Sequence, residues 1–233
     1  MTRPDPVLLR DLPAFASLDT DQIRAILDLA TPRQLRDGAP VFHEGHDAEL
    51  FFLLLDGHVR VVRANADGQQ IIVLYLHSGS LIGIAVALGR DTYPATAIAA
   101  GDVSVLAWPS TLWEVFAAQY PGFARSAYAT VGTRIGEMTT NMLETATQQV
   151  ERRVACALER ILRQSGRREA GGIVIEMPIT RQNIADMTGA TLHTISRLLS
   201  AWERDGLIRS ARRRITVTDP AGLARLSGGL SGR

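Results

Sequence analysis

The stretch from Ile179 to Val217 leaves this chain few folds to choose from. Thr180 has the side chain of a helix N-cap, and a helical run from Arg181 to Thr188 follows it. Gly189 makes a turn, Thr191 caps a second helix over Leu192 to Asp205, and Gly206 ends that helix. Leu207-Ile208, Arg212-Arg213-Arg214 and Ile215-Thr216-Val217 then read as a strand pair with a basic tip. Two short helices around a glycine turn, followed by a β-wing, make a winged helix-turn-helix. Ile184, Ala185, Gly189, Ile195, Leu198 and Leu199 fill the angle between the helices. That leaves Thr191, His193, Thr194, Ser196 and Arg197 outside, at the helix end that enters a DNA major groove. Arg197 can donate two bonds to a guanine edge, worth about 1–3 kcal/mol of discrimination. The hydroxyls of Thr180, Thr191 and Thr194 and the guanidinium of Arg181 suit phosphate oxygens. A winged helix used for protein contact or as pure scaffold is the alternative.

Charge supports a nucleic-acid partner. The net charge of +1 conceals an asymmetry, and every basic residue is Arg, with no Lys in the chain. Residues 1–150 carry 10 Arg against 16 acidic residues, whereas 151–214 carry 13 against 7. A basic segment supplies the phosphate-neutralising part of DNA binding. The single cysteine, Cys156, rules out an intramolecular disulfide and a cysteine-ligated zinc or iron–sulfur cluster within one chain. Its apolar helical neighbours mark it as a packing residue. No apolar run approaches the roughly 18 residues of a membrane span, and MTRPDPVLLRDLPAF lacks a secretory pattern. The expectation is a soluble, cytoplasmic protein without membrane contact. No Walker loop, dinucleotide fingerprint, nucleophile elbow or paired-carboxylate pattern stands out, so catalysis is not expected.

Upstream, residues 38 to 108 read as short strands parted by glycine turns. Phe51 to Leu55 stops at Asp56-Gly57, and Asp67-Gly68 closes a second hairpin ahead of Ile71 to Leu76. Leu81 to Leu88 and Ala95 to Trp108 complete a set that suggests an antiparallel roll or barrel. After Pro121-Gly122 a long helix carries Tyr128, Val131, Ile135, Met138 and Met142 at spacings of 3, 4, 3 and 4. This is the seam of a coiled-coil-like dimer helix; a helix packed on its own domain is the alternative. A further helix runs from about Gln148 to Gln164, and the loop Ser165 to Gly172 ends it. The expected fold is α+β: a sensor roll with N-terminal helices over 1–120, a dimerisation helix over 121–147, and a winged helix-turn-helix over 148–233.

ITRQNIADMTGATLHTISRLLSAWERDGLI resembles the DNA-binding domain of the Crp–Fnr regulator superfamily. VFHEGHDAELFFLLLDGHVRVVRANADGQQIIVLYLHSGSLIG is similar to that family's cyclic-nucleotide-binding-type β-roll. Roll, long helix and helix-turn-helix follow in the family's order over nearly the whole chain. The resemblance implies a homodimeric transcription regulator that binds palindromic DNA, with half-sites about 34 Å apart. It also implies RNA polymerase as a partner. Thr180, Arg181 and Gln182 match positions where the family touches the DNA backbone, as do Thr191 and Thr194. Ser196 and Arg197 match its common Ser-Arg pair, which marks Arg197 as the base-reading residue. His193 stands where most members read with Glu, which shifts the expected half-site. Arg213 lies at the tip of the implied wing.

The sensor departs from the pattern. Cyclic-nucleotide binders of the family hold the ribose with a Glu and the phosphate with an Arg. The matching positions here are Ile84 and Ala95, so cyclic AMP is not the expected ligand. An apolar residue in place of that Glu, and a loop containing Tyr93, resemble the denitrification and nitric-oxide regulators of the family. That resemblance implies nitric oxide as a signal and haem as a candidate cofactor. His77, at a strand end, is the candidate axial ligand. His43, His46 and His58 read as turn or surface residues. The alternatives are a small organic ligand, a noncanonical cyclic nucleotide, or a regulator competent for DNA without any ligand.

Overall fold

The computed structural model describes residues 4–65 and 67–228. They fall into two units: residues 1–63 with 74–137, and residues 64–73 with 138–233.

The first unit is organised by two long strands, β3 (Leu50–Ala64) and β6 (Thr96–Pro109). Alternate residues of β6 serve two cores, as strand geometry requires. Ala97, Ala99, Val103, Val105 and Ala107 point into the roll interior, while Leu106 and Trp108 join the helices. On β3, Phe52 and Leu54 face the interior and Phe51 and Leu53 face the helices. Beyond Gly57 the parity reverses, and Val59 and Val61 face inward. Pairing explains the reversal. Leu54 opposes Val105 and Val59 opposes Ala99, so five steps on β3 match six on β6.

β1 (Thr31–Leu35) and β2 (Pro40–Phe42) both pair with β6. β4 (Gln70–His77) and β5 (Leu81–Ile82) both flank β3. The sequence suggested a hairpin turn at Asp56-Gly57, but β3 runs through it as an irregularity. Gly57 is left-handed there (φ +88°), and a Cβ would lie 2.6 Å from the Asp102 carbonyl oxygen. The strand expected over Leu81 to Leu88 shrinks to Leu81–Ile82. Gly83 turns the chain (φ +69°), and Val86–Leu88 form a 3-10 turn.

Helices α1 (Pro6–Leu9), α2 (Thr20–Asp28) and α3 (Leu112–Gln119) and the start of α4 (Pro121–Thr147) cover the outer face of β3 and β6. α2 begins with a reciprocal capping box between Asp19 and Gln22. Phe51 anchors an aromatic cluster with Trp108, Trp113 and Phe116 at centroid distances of 5.4, 5.6 and 6.0 Å. The Trp108 indole N–H donates to the Ile26 carbonyl at 2.8 Å, which ties α2 to the sheet.

The second unit holds α5 (Val150–Ser165), a four-stranded antiparallel sheet in the order β7-β8-β10-β9, and α6, α7 and α8. Residues 165–172, expected as a loop, are mostly a hairpin of β7 (Gly166–Glu169) and β8 (Gly172–Ile175). α6 spans Arg181–Thr188 and α7 spans Leu192–Arg204. The wing is β9 (Ile208–Ala211) with β10 (Arg214–Val217), and α8 (Pro220–Ser227) follows. Cys156 is buried on α5 beside the Gln148 side chain and the Ser227 carbonyl, and burial pushes its thiol pKa up.

Candidate nucleic-acid interface and sensor site

Local capping sets the two helices of the interface. The Thr180 hydroxyl accepts from the Asn183 N–H at 3.1 Å and donates to the Asn183 side-chain oxygen at 2.9 Å. The Asn183 side chain in turn accepts from the Thr180 N–H. Thr180 is therefore the cap of α6, and its hydroxyl proton is spent inside the cap. Gly189 ends α6 in the left-handed region (φ +63°), and Thr191 caps α7 by accepting from the Thr194 N–H at 3.1 Å. Ile195, Leu199 and Trp202, at helical spacing, turn one face of α7 inward. The Trp202 indole N–H donates to Glu151 on α5 at 3.2 Å.

The opposite face is exposed. Arg181, His193, Thr194, Ser196 and Arg197 line one open groove that continues through Ser200 to Arg204. Arg181 and Arg197 have no ion-pair partner among the described residues, so both guanidinium forks are available for phosphate or a base edge. Thr191 lies at the entrance of this face, with its hydroxyl 2.9 Å from that of Thr194. Gln182 is exposed but donates to Asp186 at 2.6 Å.

Arg213 belongs elsewhere. It sits at the wing tip in the left-handed region (φ +58°), in a separate depression with Arg167, Arg212, Arg214 and Glu176. Sequence reasoning missed Arg204 and the basic β7–β8 side of that depression. Arg204 was findable, because it lies seven residues after Arg197 and shares its helical face.

Along α4, Tyr128, Ile135, Met138 and Met142 are exposed, Ile135 by 59% and Met142 by 75%. Val131 differs from the rest of the expected seam. It is partly buried against the core formed by Leu81, Ile84 and Trp113.

The sensor positions are apolar and closed. Ile84 and Ala95 are buried, and the 90–94 loop is held by main-chain bonds between Tyr93 and His46 and between Ala48 and Asp91. The Tyr93 ring stacks on Phe42 at a centroid distance of 3.9 Å, and its hydroxyl donates to the Leu50 carbonyl at 2.7 Å. Burial pushes the pKa of that hydroxyl up. Arg90 is exposed. Nothing at Ile84 or Ala95 holds a ribose hydroxyl or a phosphate.

Haem at His77 does not fit either. The side chain is exposed at the end of β4, with Nδ1 2.9 Å from the carbonyl of the next residue, Ser78. An axial ligand must instead point into an enclosed apolar pocket that covers the macrocycle. Among the described residues no cluster of His, Cys, Asp or Glu could hold a metal ion.

A capped helix pair with a free arginine face and a β-wing, in one chain with a small-molecule-type β-roll, defines a DNA-binding transcription regulator. Known proteins agree. Residues 32–120 match the family described as "Cyclic nucleotide-binding domain", and residues 152–226 match "Crp-like helix-turn-helix domain". The chain is 25% identical over 223 residues to the "Cyclic AMP receptor protein" of Thermus thermophilus, covering 96% of this chain and all of that one. It is 27% identical over 217 residues to the "Nitrogen fixation regulation protein FixK" of Bradyrhizobium diazoefficiens, covering 91% and 89%. The solved structure of FixK2 from Bradyrhizobium japonicum superposes with a TM-score of 0.76 at 25% identity, over 88% of this chain and 99% of that one. With both domains in order over most of its length, the chain belongs to the Crp–Fnr family of transcription regulators, whose members bind DNA and act as dimers. These relatives are regulators rather than enzymes. No helix among the described residues is long and apolar enough to cross a membrane.

Proposed function

We propose that this chain acts as a homodimeric, sequence-specific DNA-binding regulator whose roll responds to a small ligand other than cyclic AMP. The observation that carries the reading is the groove of α7, where Arg197 stands unpaired beside Arg181, His193 and Ser196. Arg197 reads a guanine edge, and His193 and Ser196 read neighbouring edges. Arg181, Gln182, Thr191 and Thr194 grip the backbone, while the wing tip at Arg213 adds phosphate contact. The exposed stripe of Tyr128, Ile135, Met138 and Met142 supports pairing of two α4 helices, which presents two recognition helices to a palindrome. RNA polymerase is the partner that such a bound dimer would act upon. Kinship with the nitric-oxide and denitrification regulators rests on Ile84 and the Tyr93 loop and brings no haem ligand with it.

Selection of a preferred palindrome from random duplex DNA, followed by binding measurements at two salt concentrations, tests the reading. Arg197→Ala should lose about 1–3 kcal/mol of preference at one base pair of each half-site and keep weak, salt-sensitive binding. Unchanged specificity would sink the assignment of α7 as the reading helix. Ile135→Glu should sediment as a monomer; an intact dimer would move the interface off this stripe.

A further inference from the structure

The inward side of α4 reads Phe123, Ala127, Val131 and then Arg134. The first three pack against the core that holds Leu81 and Ile84. Arg134 lies one turn further on, and its Nη2 donates to the Leu81 carbonyl at 2.6 Å. That carbonyl belongs to β5, which leads directly into Gly83 and Ile84. Among the described residues Arg134 makes no ion pair, and Leu81 is its only hydrogen-bond partner. Burial lowers its pKa to about 10, against the pull of Glu137 one turn along the helix.

A guanidinium has five donors in a fixed fork, and one neutral carbonyl uses little of that capacity. A half-buried cation that has a carboxylate nearby in Glu137 but makes no ion pair with it is costly to keep. We infer that Arg134 anchors the anionic group of the ligand of the roll, so that the signal is a small organic acid or phosphate ester. The inference rests on the reading of the roll as a sensor and supplies the chemistry of its ligand. The charge pattern fits the departures already described. The acidic position at Ile84 and the basic position at Ala95 are both apolar here, and the cation comes from the long helix instead. A carboxylate or phosphate accepting two bonds from Arg134 would remove the desolvation cost only in the bound state. That is the differential affinity a switch requires. Ile135, the neighbouring residue, lies on the exposed stripe, so a change at Arg134 reaches the surface proposed for pairing.

The test uses the full-length chain in chloride buffer of matched ionic strength, with succinate or inorganic phosphate as the probe. One of the two should raise the melting temperature by about 5 °C at saturation, and which one does so separates carboxylate from phosphate ligands. Arg134→Gln should abolish the shift, and Arg134→Lys should retain part of it. Arg24→Ala, which removes an exposed cation of α2, should leave it whole. No shift with either probe, or a shift that survives Arg134→Gln, would overturn the proposal. A second arm needs no ligand. In chloride alone Arg134→Met should melt no lower than the parent, whereas a clear fall would mean that Arg134 is a structural tie to Leu81. Failure of the parent chain to bind a selected palindrome would count against the regulator reading and leave the anion result standing.

Discussion

The roll and the winged domain are both antiparallel sheets flanked by helices, yet they treat polar groups in opposite ways. In the roll, polar handles are folded inward and tied to main-chain carbonyls: Trp108 to Ile26, Tyr93 to Leu50 and Arg134 to Leu81. In the winged domain, polar side chains shape the helix ends, and Arg197 of α7 stands without an ion-pair partner in an open groove. One region stores specificity as fit around an interior, the other as an exposed pattern of donors. Ile84 and Ala95 are buried and apolar inside the roll, while the capped helix pair of α6 and α7 keeps its local form.

If that contrast is sound, stability should depend on aromatic packing in the roll and on backbone geometry and caps in the winged domain. Trp108→Ala should be the most damaging substitution, costing about 3–5 kcal/mol in urea unfolding, because it opens a cavity beside Phe51 and removes the indole bond to the Ile26 carbonyl. Gly172→Ala comes next, at about 1–3 kcal/mol. Gly172 is left-handed (φ +132°), and an added Cβ would collide with the Val217 carbonyl oxygen across the sheet. Thr191→Ala should cost about 1 kcal/mol through the lost cap of α7. A Thr191 effect as large as that of Trp108 would break the comparison. The smallest effect concerns Cys156, whose burial keeps its thiol protonated. Its folded pKa lies above the unfolded one, so its contribution is intact at neutral pH and lost as pH climbs past the ordinary thiol range. Labelling of Cys156 by a disulfide reagent should be slow in the native chain and fast in urea; equal rates would place it on the surface.

The helix pair of the candidate interface was legible in the sequence because its signals are local. A Thr cap, a glycine turn and apolar spacing fix α6 and α7 within a few residues; Arg204 was missed although the same helical spacing places it on the face of Arg197. The roll was legible in class but not in detail, because its register is set across the sheet. Asp56-Gly57 has the composition of a hairpin turn. It is kept within β3 by the contact of Gly57 with Asp102 on β6, 45 residues further along the chain. Arg134 carried no local mark at all. Its meaning comes from the Leu81 carbonyl, 53 residues away in sequence, and from the missing acid at position 84.

The placement of the three indoles makes the chain its own optical gauge. Trp108 is sealed between β6 and α2, the Trp113 ring stands edge-on to Tyr128 of α4 at 6.4 Å, and Trp202 is bonded to Glu151. Indole emission follows the polarity and mobility of its surroundings. Single-tryptophan versions of the protein would therefore report three places separately without any attached dye: the sheet, the start of the long helix, and the back of the recognition helix. Of these, Trp113 is the one whose light should change when α4 shifts against the aromatic cluster.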